Sequence, residues 1–133
     1  MLDTKTYRRI VRASALYDLV VTVPFVTPWS FGLVAAAVGL ADTGLGLPGI
    51  VPLPDVLTVL LANLLGSVVV VWSIVRLRLV LLVLGRYDAV ARGLFAIWQV
   101  NALAHGMSWA IVPLLMFEIG FGVLQALPVK DGD

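Results

Sequence analysis

VLTVLLANLLGSVVVVWSIV, Val56 to Val75, carries no charged residue from end to end. A helix needs about 20 mostly apolar residues to cross the roughly 30 Å hydrocarbon core of a bilayer. This stretch therefore reads as one complete membrane crossing. Pro54 suits a helix entrance, and Asp55 sits well against the positive end of the helix dipole. A chain with one such crossing has to be searched for others.

The composition agrees with that reading. The 133 residues leave room for one domain. They are 61% hydrophobic and only 13% charged, against about 25% charged in soluble domains, and mean hydropathy is +1.05. So few charges cannot cover so much apolar surface in water. There is no cysteine, which excludes disulfides, zinc thiolates and thiol catalysis. The single histidine, His105, argues against a histidine metal site. No cofactor, metal or nucleic-acid partner is expected.

The other charge-free stretches are Leu19–Ala41, Gly93–Phe117 and Ile119–Val129. A first helix is expected over about 9–27, kinked at Pro24, with Pro28 and Trp29 marking its exit. The second spans about 55–77. The stretch Gly93–Val129 is too long for one crossing, and HGMSW, His105 to Trp109, is its natural break. This places a third helix at about 88–104 and a fourth at about 109–127, with Pro113 tolerated in its first turns and Pro128 closing it. Between the first two helices, residues 28–54 form an apolar segment rich in Gly and Pro. Phe31–Leu40 suits a short helix in the interface or dipping into the bundle, and Gly44–Pro54 is turn chemistry. The segment is either a lid over the outer mouth of a pocket or an interfacial connector. The expected fold is all-α: one integral membrane domain over 1–133, a four-transmembrane-helix bundle.

The basic residues orient it. Lys5, Arg8, Arg9 and Arg12 precede or open the first helix, Arg76, Arg78, Arg86 and Arg92 flank the second connection, and Lys130 follows the fourth helix. Four crossings put all nine on one side, whereas three would strand Lys130. Both termini are then cytoplasmic by the positive-inside rule, and a bacterial inner membrane is the expected location. A cleaved signal peptide ending near Gly39-Leu40-Ala41 is disfavoured, because Asp18, Pro24 and Pro28 interrupt its core. Trp29, Trp72 and Trp109 fall near expected interfaces as an aromatic belt, while Trp98 lies deeper, to wall a pocket or to pack.

Polar residues inside such helices are costly, about 2.5–3.5 kcal/mol for an ionisable group, so their faces matter. Ser14, Asp18 and Thr22 share one face of the first helix. Asn63 and Ser67 share one on the second, beside Gly66. Asp88, Arg92 and Gln99 form a stripe on the third, and Glu118, Gly122 and Gln125 on the fourth. Four inward stripes would make one polar seam, with Asp18, Thr22, Asn63, Ser67, Arg92, Gln99, Glu118 and Gln125 as candidate ligand-lining residues. An Asp18–Arg92 ion pair is expected. Glu118 has no evident cationic partner, and is expected either protonated or hydrogen-bonded to Asn63 or Gln99. Such a seam also serves simply to hold a bundle together, at about 0.6 kcal/mol per contact. His105, at a hairpin tip, needs no special role. Arg76, Arg78 and Arg86 surround LVLLVL, which either extends the second helix or lies along the membrane surface, and membrane orientation accounts for their charge.

LYDLVVTVPFVTPW, Leu16 to Trp29, is partly echoed by RYDAVARGLFAIWQ, Arg86 to Gln99. At an offset of seventy Tyr17, Asp18, Val20 and Phe25 align with Tyr87, Asp88, Val90 and Phe95, which suggests two related helical hairpins in parallel orientation. At the start of its helix Asp88 reads as an N-cap, so Asp18 is the costly copy. With its LYDLVVTVPFVTP first helix, its proline-marked exit and inward acids at Asp18 and Glu118, the chain resembles the DoxX-like and EXPERA-type small four-helix membrane proteins in topology over its whole length. For the EXPERA type that resemblance implies an acidic pair in an intramembrane pocket for lipophilic amines or sterols. Here Asn63 stands on the second helix in place of an acid, and no catalytic residue is carried over.

Three functions follow as expectations. The first is a small membrane protein whose seam holds a lipophilic or lipid-like ligand among membrane lipids. The second is an accessory or scaffold subunit with a membrane-protein partner, and the third a small homo-oligomeric transporter. No enzymatic activity is expected from these residues.

Overall fold

The computed structural model describes residues 1–130, and among them every regular element is helical. Five α-helices occur in order: α1 (Thr4–Thr22), α2 (Pro28–Leu45), α3 (Val56–Leu79), α4 (Leu82–Ala104) and α5 (Val112–Ala126). A 3-10 turn, Val23–Phe25, follows α1, and another, Trp109–Ile111, precedes α5.

The helix starts are chemically explicit. The side chain of Asp3 accepts from the Thr6 amide, Thr27 from Ser30, and Asp55 from Thr58. Pro24 and Pro28 act together on the first segment: the α-helix tightens to a 3-10 turn at Pro24, and Pro28 then opens α2, bent 102° from α1. The expected kink is thus a break, and the short helix expected over Phe31–Leu40 is an 18-residue one. It ends at Gly46, whose left-handed φ of 58° allows the turn. Asn63 Nδ2 donates to the carbonyl of Phe25 at 2.7 Å, and Gly66 lets that turn touch α3. A Cβ on Gly66 would lie 2.6 Å from Phe25 Cβ.

The third helix begins six residues earlier than expected. LVLLVL is divided between two helices: Leu79 ends α3, Val80 caps it in a left-handed conformation (φ 39°), and α4 starts at Leu82. A β-branched residue there is a genuine backbone outlier, and no glycine, proline or asparagine announces it. The break after HGMSW is as expected, with Gly106 at φ 92° in the turn.

α1 packs chiefly on α3 and α4 chiefly on α5, with lighter contacts from α1 to α4 and α5. α3 and α4 hardly touch although two residues join them. The termini meet: Leu2 and Val129 form a bridge, and Lys130 N donates to the Leu2 carbonyl. Tyr7 Oη and Arg86 both donate to the Gln125 carbonyl, so this end also holds the α3–α4 turn. Lys5, Arg8, Arg9, Arg12, Arg78 and Lys130 are exposed. The opposite end carries residues 46–55 and the α4–α5 hairpin, and no Lys or Arg. α3 and the segment Trp109–Ala126 are each long and apolar enough to cross a membrane, and the bent pair α1–α2 qualifies as a third crossing if counted as one.

Candidate functional site

Five ionisable side chains meet near the basic end, inside the helices. Arg92 of α4 donates Nη2 to Asp18 Oδ2 at 2.6 Å, Nε to Asp88 Oδ2 at 3.0 Å and Nη1 to Glu118 Oε2 at 2.9 Å. Arg76 of α3 donates Nη2 to the same Asp18 oxygen and Nη1 to the same Asp88 oxygen, each at 2.5 Å. Each arginine therefore bridges both aspartates. Around them Ser14 Oγ takes bonds from Arg76 and from Gln125 Nε2, and Trp72 Nε1 donates to Asp88 Oδ1 at 3.0 Å. Arg76, Ser14, Ser73 and Gln125 are fully buried. Charges this far from water persist only when paired and hydrogen-bonded, and here nearly every guanidinium nitrogen has a carboxylate or hydroxyl.

The Asp18–Arg92 pair expected from the helix faces is present. Two other expectations are corrected. Glu118 does have a cationic partner: Arg92 is long enough to reach it while holding both aspartates. Asp88 is no N-cap: with α4 starting at Leu82, it lies two turns into the helix, 3% exposed, accepting from Arg76, Arg92, Ser14 and Trp72. Arg76, expected as an orienting surface charge, is likewise wholly buried. Both follow from the turn at Val80, which draws the basic end of α3 and the start of α4 into the bundle. The only sequence signal for Arg76 was its spacing: Gly66, Ser73 and Arg76, the buried residues of α3, lie on one helical face. Trp72 belongs to this network rather than to an interfacial belt.

On the far side of this network lies a cavity of about 600 Å³. Its floor is Asp18, Asp88, Arg92 and Glu118, and its walls are largely apolar, including Val21, Phe25, Leu65, Val69, Phe95 and Trp98. At the other end it is lined by Ala102, Met107 and Ile111. Of the candidate residues, Asp18, Thr22, Arg92, Gln99 and Glu118 line this cavity. Asn63, Ser67 and Gln125 do not. Asn63 pins the Phe25 turn, Ser67 is exposed and bonded back to the Asn63 carbonyl, and Gln125 is sealed beneath the ion pairs. Thr22 also spends its hydroxyl locally, on the Asp18 carbonyl at 2.6 Å.

The cavity is rich in acceptors. Three carboxylates face two guanidinium groups, leaving one formal negative charge when all are ionised. Among the described residues Asp18 Oδ1 and Glu118 Oε1 accept no hydrogen bond, and Gln99 Oε1 is buried without a partner. The arginine Nη groups, by contrast, are all engaged. No cluster of metal-ligating side chains occurs among the described residues. The chain matches no family model, no curated protein and no solved structure in comparisons with all three.

Proposed function

We propose that this chain is a small integral membrane protein that holds a lipophilic or lipid-like ligand whose polar end donates hydrogen bonds. In this reading α1, α3, α4 and α5 make four crossings, and α2, bent away from α1, lies near the outer interface. Both termini then face the cytoplasm of a bacterial inner membrane, since every exposed Lys and Arg among the described residues is at that end. The packing of α1 on α3 and of α4 on α5 suits two helical hairpins, and Asp18 and Asp88 hold equivalent places between the arginines, as the Tyr-Asp echo suggests. This topology and the inward acids are what support the likeness to DoxX-like and EXPERA-type proteins.

The observation that carries the binding reading is the unpaired acceptor set. The apolar walls end on Asp18, Glu118 and Gln99, of which Asp18 Oδ1 and Glu118 Oε1 accept no hydrogen bond from the protein, and Gln99 Oε1, itself sealed from water, has none either. Ligand pockets typically combine apolar walls with a few convergent polar groups, and buried acceptors left empty are unfavourable. A hydroxyl or ammonium head fits such a floor, whereas a carboxylate or phosphate head would meet like charge. Pyrene-labelled long-chain probes in detergent micelles test this through energy transfer from Trp72 and Trp98, which line the cavity. The alcohol and the amine should bind, the fatty acid much more weakly, and Glu118→Gln should weaken the amine most. Equal binding of the fatty acid would sink the head-group assignment.

The second reading, an accessory subunit whose seam only locks the bundle, rests on one observation: the ion pairs close on themselves without a ligand. Failure of every probe to bind would favour it.

A further inference from the structure

A cavity in a bundle can open toward either aqueous face or sideways, and here both ends are shut. At the basic end Arg76, Tyr7, Ser14 and Gln125 are fully buried beneath the floor, and no side chain in that layer reaches water. Tyr7 and Arg86 tie α1 and α4 to the Gln125 carbonyl there.

At the other end the loop after α2 is pinned across the α4–α5 hairpin. Ile50 N donates to the Gly106 carbonyl at 3.0 Å, Ser108 N to Ile50 at 3.1 Å and Trp109 N to Pro48 at 2.9 Å, and Ser108 Oγ also bonds to the Asp42 carboxylate. Gly49, at φ 94°, presses directly on Met107, where a Cβ would come within 2.5 Å of the carbonyl oxygen. Met107 is itself part of the cavity's closure.

The sides differ from one another. α1 lies tightly on α3, α4 on α5, and Tyr17 stacks on Phe117 at 4.5 Å across the α1–α5 side. Between α3 and α4 there is almost no contact. Their side chains join through Trp72 and Arg76 to Asp88, and no other hydrogen bond links the two helices among the described residues. The lining residues on this side are the cavity's most exposed: Val68 67%, Trp98 65% and Leu65 52%. All are apolar.

From this we infer that the α3–α4 cleft is a lateral portal, filled by the apolar part of the ligand, through which the cavity exchanges that ligand with the lipid phase. The inference rests on the ligand-binding reading above and adds the source of the ligand: a molecule resident in the bilayer. It makes Leu65, Val68, Phe95 and Trp98 the residues that limit the width of the chain admitted.

The absence of cysteine from the sequence allows a clean test. Leu65 and Phe95 stand at matching levels, each seven residues beyond the Trp72–Asp88 contact. Leu65→Cys with Phe95→Cys, bridged by a reducible bifunctional thiol reagent in lipid vesicles, should slow uptake of pyrene-labelled hexadecanol at least tenfold. Reduction of the bridge should restore it. Asp42→Cys with Ser108→Cys, oxidised to lock the opposite end, should leave the uptake rate unchanged. In the unsubstituted protein the rate should follow the probe's mole fraction in the bilayer at constant aqueous concentration. Slowed uptake only on locking the Asp42–Ser108 end, no slowing with either bridge, or a rate set by aqueous concentration alone would each overturn the portal while leaving binding intact. A protein that takes up no probe at all overturns the binding reading, and the portal with it.

Discussion

The two halves of the bundle solve opposite problems with the same four helices. Near the basic end, α1, α3, α4 and α5 are drawn together around five ionised groups and no space is left among them. Farther along, α3 and α4 hardly touch and the bundle encloses about 600 Å³ of cavity. Buried charge demands complete pairing, because an unpaired ion in a low-dielectric interior loses several kcal/mol of solvation. Apolar walls make no such demand and tolerate a void that a ligand can fill. Rigidity is therefore concentrated at one level and accommodation at the other, with Asp18, Arg92 and Glu118 at the boundary belonging to both.

Breaking the ionic half should give the largest effects. Arg92→Leu removes one of the two cations on Asp18 and Asp88 and the cation on Glu118, and is expected to destabilise by about 3–5 kcal/mol, read as a fall in the unfolding midpoint in mild detergent. Asp88→Asn should cost about 1–3 kcal/mol and exceed Asp18→Asn in the same assay, since Asp88 has four donors and Asp18 two. Gly66→Val attacks the support of the hollow half. Its side chain would collide with the Phe25 turn, with a loss of about 1–3 kcal/mol and increased proteolysis near Pro24–Pro28.

Gln99→Leu sharpens the contrast in the other direction. It removes a buried acceptor that has no partner, so stability should stay level or rise by about 1 kcal/mol while binding of the alcohol probe falls. An equal loss of stability would erase the distinction between the halves. The smallest effect is at Asp55, outside the membrane region, where hydrogen bonds from Thr58 hold the carboxyl below its ordinary range. Because the folded value is the lower one, its contribution is present above the unfolded carboxylate value and is lost as pH falls through the depressed one. Asp55→Ala should therefore lower stability slightly near neutrality and remove that acid-side dependence, so that the difference from the unsubstituted protein vanishes at low pH.

Much of the site was legible where a residue's face followed from helical spacing alone. Asp18 and Thr22, Arg92 and Gln99, and Glu118 all point to one interior, and a four-residue period needs nothing more than the helix itself to say so. Asn63 and Ser67 share a face equally well, but theirs turns toward the Pro24–Pro28 bend, whose angle depends on where α2 finds support. Asp88 and Arg76 were misread for a single reason. Their depth is set by the turn at Val80, a left-handed valine in an unbroken apolar run, and local preference argues against a turn there.

From the sequence alone come the apolar helices, the basic charge confined to one end and the inward acids, because hydropathy, helical period and the cost of burying charge all act locally along the chain. The fold as a whole settles which cation meets which acid, that Asp18 and Asp88 converge on the same arginines, and that α3 and α4 hardly touch beside a cavity. Those outcomes depend on distances between residues far apart in the chain, and on a left-handed turn at Val80 that local preference disfavours.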